Sequence, residues 1–304
     1  MRTPRSVLAV PASNLGMAEK ALTSDADAVF LDLEDAVAPD EKADARGKIV
    51  HALRELDWRS RPTLYRANAL DTPYFYRDVI EVAEEAGDRL DSILIPKVQR
   101  PEDLHVVATL LYQIELSAGL EPGNIKIEAQ IESAGGLVNI DGIARATNRL
   151  EALHFGPGDY AANMRMPQRS IGTMDEWDEA YPGHRLHYAM CRIVVAARAA
   201  GLRAVDGPVA DYRDEEGLRE SCLLARSLGF DGKWCIHPAQ IGVVNEVFSP
   251  TEKELEWARK VVEAYEEASA AGRGAVSVDG QMVDAASIKM AENTLDLARE
   301  AGMT

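Results

Sequence analysis

Two acidic residues stand where this sequence could hold a hard cation. Ala152–Phe155 is a short apolar run that Gly156, Pro157 and Gly158 stop at once, and Asp159 follows. One strand-plus-helix unit earlier, Lys126-Ile-Glu-Ala-Gln-Ile131 ends the same way on Glu132, and Ser133-Ala-Gly-Gly136 opens a loop or helix start. Two carboxylates at the carboxyl ends of neighbouring strands suit a divalent cation such as Mg²⁺, with Mn²⁺ as a substitute. Each acid could instead cap the helix that follows it, Asp159 well and Glu132 poorly.

The elements that must carry these residues follow a repeat. Strand-like runs at Ser6–Val10, Ala28–Leu33, Thr63–Tyr65, Ser92–Ile95, Ile125–Ile131, Ala152–Phe155, Arg203–Asp206 and within Phe230–Ile236 alternate with helical spacing. Eight such units in a row predict α/β architecture, a (β/α)₈ TIM barrel, with an open doubly wound sheet as the alternative. The residues just after the strands are Asn14, Glu34 and Asp35, Arg66, Lys97, Glu132, Asp159, Asp206 and His237. In a barrel these positions converge on one face, where barrel enzymes build their sites. A ring carrying both signs of charge is more than chance placement of surface polars. Arg66 offers a rigid fork of donors for an oxyanion, or it could pair with Glu34 or Asp35 for structure alone. Glu34 and Asp35 are expected to support metal-bound water or to orient Arg66. Lys97 and Asp206 could pair across the barrel mouth. His237 beside Pro238 is either a substrate contact or a packed turn residue, and His184 and His187 read as surface or cap residues.

The barrel domain is expected over residues 1–249. It includes one long irregular insert, about Met164 to Gly183. Residues 250–304 depart from the repeat. They read as an amphipathic helix over Glu252–Ala271, a small hairpin turning at Asp279-Gly280, and a last helix over Ala285–Ala301 preceded by Asp284. With no barrel strand of its own, this extension is expected to serve as a lid or in oligomerisation.

Composition narrows the function. The chain has 304 residues and is 46% hydrophobic, enough for a large core. Lys+Arg number 33 against 50 Asp+Glu, a formal net charge of −17 that argues against nucleic acid or an anionic membrane as partner. Cys191, Cys222 and Cys235 show no CxxC spacing and read as buried small apolar residues in a reducing compartment. Met1–Arg5 leads directly into a strand with no secretory h-region, so a cytoplasmic location is expected.

Several motifs together resemble one family. They are Phe30-Leu-Asp-Leu-Glu-Asp-Ala-Val-Ala-Pro39, Arg66 with Asn68, Ala129-Gln-Ile-Glu132, Phe155-Gly-Pro-Gly-Asp159, Gly232-Lys-Trp-Cys-Ile-His-Pro238 and Gly274-Ala-Val-Ser-Val-Asp-Gly280. The combination is similar to the CitE-like acyl-CoA lyases of the HpcH/HpaI superfamily, most of all the malyl-CoA, β-methylmalyl-CoA and citramalyl-CoA lyases, from about Ser6 to the last helix. The resemblance implies a (β/α)₈ barrel, a homotrimer or homohexamer, and Mg²⁺ held by Glu132 and Asp159. It also implies that Arg66 contacts the reacting carbonyl oxygens, that Gly158, Asp159, Ile236 and His237 line the substrate site, and that Lys20 holds CoA phosphates. Asp284 matches an acid that relatives place over a neighbouring subunit's site. One departure is Asn14, which stands where relatives often carry Arg.

The reaction so implied is reversible aldol cleavage of an acyl-CoA thioester to a shorter acyl-CoA and a small 2-oxo acid, glyoxylate or pyruvate. For L-malyl-CoA the products are acetyl-CoA and glyoxylate; β-methylmalyl-CoA gives propionyl-CoA and glyoxylate. Citramalyl-CoA lyase, malyl-CoA thioesterase or malate synthase, and a citrate lyase β-like subunit are the alternatives. The thioester enolate is the difficult species, and fixed positive groups facing its oxygen are the main catalytic requirement. Asp284 is the candidate for proton transfer at the acetyl methyl.

Overall fold

The computed structural model describes residues 3–181 and 184–303, without the side chain of Glu179. Met1, Arg2, Pro182, Gly183 and Thr304 therefore lie outside the described residues, and with them the end of the expected insert.

Eight parallel strands close a barrel in sequence order: β1 (Ser6–Pro11), β2 (Ala28–Asp32), β3 (Thr63–Arg66), β4 (Ser92–Ile95), β5 (Lys126–Ile131), β6 (Leu150–Phe155), β7 (Arg203–Asp206) and β8 (Gly232–Cys235). β8 closes on β1 in the register Val7 with Trp234. The strands are short and apolar because both faces are covered, by helices outside and by side chains of the other strands inside. All five residues of β2 are buried. Val7, Ala28, Phe30, Leu64, Leu94, Val205 and Trp234 pack as one cluster.

The crossovers are α1 (Leu15–Thr23), α2 (Lys42–Glu55), α3 (Phe75–Ala86) and α4 (Pro101–Ala118), then the short α5 (Ala134–Val138) and α6 (Ile140–Ile143). After β6 come α7 (Pro157–Asn163), α8 (Glu176–Ala180) and α9 (His187–Ala200); α10 (Glu215–Leu228) and α11 (Ile241–Val247) follow β7 and β8. Gly201 and Gly229 end α9 and α10 in left-handed backbone, the conformation that makes glycine a helix stop.

The segment read as an irregular insert is more ordered than its composition predicts. Asp175 caps α8, and Arg185 binds both Asp175 (2.9 Å) and Asp178 (3.0 Å). These bonds supply locally the order that a Met-, Pro- and Gly-rich sequence does not advertise.

The chain divides into two compact units, Pro4–Asn245 and a second from Glu246 onward that also takes in Thr3. In the second, Thr251 caps α12 (Glu252–Ala270) through a reciprocal pair with Glu254. β9 (Val276–Val278) and β10 (Gln281–Val283) pair antiparallel through a two-residue turn. Its residues Asp279 (φ 48°) and Gly280 (φ 82°) both take the positive φ that a tight hairpin demands. Val278 and Val283, on the inner face of the hairpin, join Ala258 and Val261 of α12 and Ala291 of α13 (Ala285–Glu300) in one small core. Among the described residues no helix is long and apolar enough to cross a membrane.

Candidate active site

The carboxyl ends of the barrel strands open into a chamber of about 540 Å³ lined by Asp32, Asp35, Arg66, Gln130, Glu132, Gly158, Asp159, Trp234 and Ile236 among others. Neither acid of the proposed metal pair is spent on capping. Ser133 caps α5 with its own hydroxyl, and Asp159 lies within the first turn of α7 behind the cap residue Gly156. Asp159 is therefore helical, not in loop backbone as the glycines suggested.

Glu132 is buried, and both its oxygens are held. The backbone N–H of Lys97 donates to Oε1 at 2.7 Å and Gln130 Nε2 donates to Oε2 at 2.7 Å. Gly156 leaves no room for a side chain, since a Cβ there would lie 2.3 Å from Glu132 Oε2. Burial pushes the Glu132 carboxyl well above the usual range, and the like charges of Glu34 and Asp159 push it further.

Arg66, at the end of β3, is clamped. Asp32 accepts from Nε and from Nη2, each at 2.7 Å, a bidentate pair that fixes the guanidinium plane. Nη1 lies 2.9 Å from Glu34 Oε2 and 3.4 Å from Gln130 Oε1. The guanidinium carbon sits 5.4 Å from the Trp234 ring centroid. Burial works against its charge, but Asp32 first, then Glu34 and Asp35, hold Arg66 above its ordinary pKa. The sequence reading named Glu34 and Asp35 as its partners and missed Asp32, the tightest of the three. The strand expected from the sequence ran on to Leu33 and hid Asp32 in a run that reads as core, whereas β2 ends at Asp32.

Trp234 is itself held. Its indole N–H donates to His154 Nδ1 (2.8 Å), and His154 Nε2 meets Glu128 at 2.5 Å. Arg203 donates to the same glutamate at 2.7 Å.

Five carboxylates, Asp32, Glu34, Asp35, Glu132 and Asp159, thus face Arg66 and Lys97, with the buried Lys42 in electrostatic reach of the first three. The buried Glu34 Oε2 has no hydrogen bond among the described residues, despite Arg66 beside it. An excess of negative charge, a carboxylate driven toward protonation and an acceptor with an ion pair but no hydrogen bond are what a divalent cation and its waters would relieve. Among the described residues no three His, Cys, Asp or Glu side chains converge as a complete ligand set. The donor set fits Mg²⁺, which is commonly bound by one or two carboxylates plus water and substrate oxygens.

Residues 5–238 match the HpcH/HpaI aldolase/citrate lyase family. The chain belongs to that family. An L-malyl-CoA/β-methylmalyl-CoA lyase of Cereibacter sphaeroides is 43% identical over 297 residues, covering 96% of this chain and 93% of that protein. Citrate lyase subunit β of Escherichia coli is 36% identical over 302 residues, 99% of this chain and 95% of that protein. Among solved structures, CitE of Mycobacterium tuberculosis in complex with magnesium, acetoacetate and coenzyme A superposes with a TM-score of 0.76 at 29% identity, covering 99% of this chain and 98% of that one.

The remaining residues singled out from the sequence take the following places. His237 stacks on Tyr212 with ring centroids 4.3 Å apart, and its Nδ1 accepts from Ala239 N–H at 3.1 Å. Its Nδ1 thus serves the turn, one of the two roles expected for it, and its neighbour Ile236 lines the chamber. Lys20 lies exposed in the last turn of α1 and does not line the chamber, and Asn14 caps that helix. Lys97 and Asp206 do not pair with each other. Lys97 reaches Glu34 at 2.8 Å, and Asp206 is taken by the buried Lys233 at 2.5 Å, a closer ammonium inside the barrel. His184 is not a surface residue: it is half-buried beside Asp206 and Lys233, and burial lowers its pKa. Cys222 and Cys235 are buried as expected, but Cys191 is only partly so, one turn from His187. Asp284 caps α13, accepting from the N–H groups of Ala286 (3.0 Å) and Ser287 (3.1 Å). Those donors hold its carboxyl below the ordinary range.

Proposed function

We propose that the chain is a Mg²⁺-dependent acyl-CoA lyase that cleaves L-malyl-CoA, β-methylmalyl-CoA or both, releasing glyoxylate and acetyl-CoA or propionyl-CoA. The observation that carries this reading is that Arg66 and the carboxylate pair Glu132 and Asp159 line one chamber at the strand ends. The sequence likeness to malyl-CoA/β-methylmalyl-CoA lyases supports the substrate class.

Glu132 and Asp159 would hold the cation, which when bound supplies Lewis-acid polarisation of the 2-oxo acid oxygens. Arg66, locked by Asp32, presents its remaining donors to the oxygen on which enolate charge develops. Preorganised donors of this kind need no rearrangement as the charge appears. Trp234 and Ile236 make the apolar wall, which keeps water from the enolate. A proton must reach or leave the carbon next to the thioester carbonyl, the methyl of acetyl-CoA or the methylene of propionyl-CoA. Asp284 is our candidate for that step, acting on a neighbouring subunit within a homotrimer or homohexamer.

Steady-state cleavage of malyl-, β-methylmalyl- and citramalyl-CoA, with and without EDTA, tests the reading. We expect EDTA-sensitive release of glyoxylate together with intact acetyl-CoA or propionyl-CoA. Pyruvate as the main oxo-acid product would make it a citramalyl-CoA lyase. Free CoA would make it a thioesterase or synthase, and no turnover of free CoA esters would point to a carrier-bound subunit.

A further inference from the structure

The carboxylates around the chamber do not face one another unrelieved, because Lys97 stands among them. It follows β4 in left-handed backbone (φ 53°), a conformation uncommon outside glycine and asparagine and frequent at functional sites. That one turn of the chain does two things. It aims the Lys97 N–H at Glu132 Oε1 (2.7 Å). It also places Nζ 2.8 Å from Glu34 Oε1 and 4.0 Å from both Asp35 Oδ1 and Asp159 Oδ2.

We propose that Lys97 is a tethered counter-ion of the metal site: its ammonium pairs with Glu34 and partly offsets the charge of Asp35 and Asp159 while no metal is bound, and gives way when a divalent cation arrives. The inference rests on the reading that Glu132 and Asp159 are the metal ligands. A dication and an ammonium that share Asp159 repel each other, so each weakens the other's hold. The two halves of Lys97 are separable. Its N–H bond to the buried Glu132 is part of the barrel rim and stays. Its side chain is about one-third exposed and ends a flexible four-carbon stem, so the ammonium can swing toward water or toward the carboxylate of an anionic substrate. The residue thus keeps Glu132 aimed at all times and covers the acidic cluster only when nothing else does. Metal binding is accordingly weakest in the absence of substrate.

The test is calorimetric titration of the substrate-free protein with Mg²⁺ at fixed ionic strength, for the wild type, Lys97→Met, Lys97→Asn and Asp159→Asn. Asparagine is included because it tolerates left-handed backbone, should the methionine variant fail to fold. Removing a positive charge about 4 Å from Asp159 should tighten Mg²⁺ binding about ten-fold in either Lys97 variant. The metal-free variants should melt below the wild type, and saturating Mg²⁺ should narrow that gap. Unchanged or weaker Mg²⁺ binding in the folded Lys97 variants would overturn the counter-ion role while leaving the ligand assignment intact. Undiminished Mg²⁺ binding by Asp159→Asn, or none by the wild type, would overturn the ligand assignment and this inference with it.

Discussion

Asp32 and Arg66 are joined by two hydrogen bonds of 2.7 Å between the ends of adjacent strands, and this pair sets the aim of the positive group in the chamber. Asp32 also accepts from the Glu34 N–H at 2.9 Å, so it shapes the loop that carries Glu34 and Asp35. Asp32→Asn keeps the size of the side chain but loses the charge and one acceptor. We expect kcat to fall roughly 10²-fold, because small misplacements of a positioned group are costly. Asp32→Ala should also unfold earlier, by about 3 kcal/mol in chemical denaturation, since it leaves a buried guanidinium with weaker partners. Wild-type kcat in Asp32→Asn would show that Arg66 does not depend on this clamp.

Gly156 is the tightest point beneath the proposed metal site. A Cβ there would lie 2.5 Å from Glu132 Cβ as well as 2.3 Å from its Oε2. Gly156→Ala should push the Glu132 carboxylate out of place and weaken Mg²⁺ binding by ten-fold or more, with a stability loss of about 1–3 kcal/mol from overpacking. Isothermal titration with Mg²⁺ and a denaturation curve measure the two effects separately.

Glu128 lies fully inside the barrel. Burial would raise its pKa, yet Arg203 and His154 more than offset this and hold it at about 2, against an ordinary 4.5. A folded-state pKa below the unfolded one means that the unfolded chain binds the proton more tightly. The stabilisation is therefore complete above pH 4.5 and is lost as the pH falls toward 2. It amounts to about 3 kcal/mol. Glu128→Gln should flatten this part of the stability profile between pH 5 and pH 2. Denaturation at a series of pH values checks it, and an unchanged slope in the variant would assign the acid sensitivity elsewhere.

Asp284 caps α13, and one pair of substitutions separates that cap from the proton transfer proposed for it. Asparagine is as good a helix cap as aspartate, so Asp284→Asn should leave thermal stability near wild type. Turnover should still fall about 10²–10⁴-fold if the carboxylate moves the proton. Asp284→Ala should lose the cap as well, costing about 1 kcal/mol. Full activity in Asp284→Asn would leave Asp284 with the capping role alone.

Periodicity carries much of this fold because each strand–helix unit is a local unit. The apolar runs at Ala28, Ser92 and Arg203 and the glycines at 201 and 229 act within a few residues of themselves, and the barrel is their sum. The same locality placed Arg66, Glu132 and Asp159 at strand ends, and strand ends of a parallel barrel can only converge.

Pairing was not legible, because it depends on which side chains lie across the barrel, at separations the sequence does not encode. Lys97 could be read as an ionisable residue after a strand. That it reaches past β3 to Glu34 and leaves Asp206 to Lys233 on the adjacent strand, 27 residues beyond, follows from the order of strands round a closed ring. His237 could be read as a substrate contact or a packed turn residue, and its stacking on Tyr212 depends on a side chain the local sequence does not place beside it. Asp32, Gln130 and Trp234 read as parts of core strands, and only the inward face of the barrel turned them toward Arg66. The sequence by itself determined the repeat, the ring of charge and the chemistry those residue types allow. The tertiary structure decided which charges neutralise one another, because electrostatic partnership is set by distance through a closed barrel and not by distance along the chain.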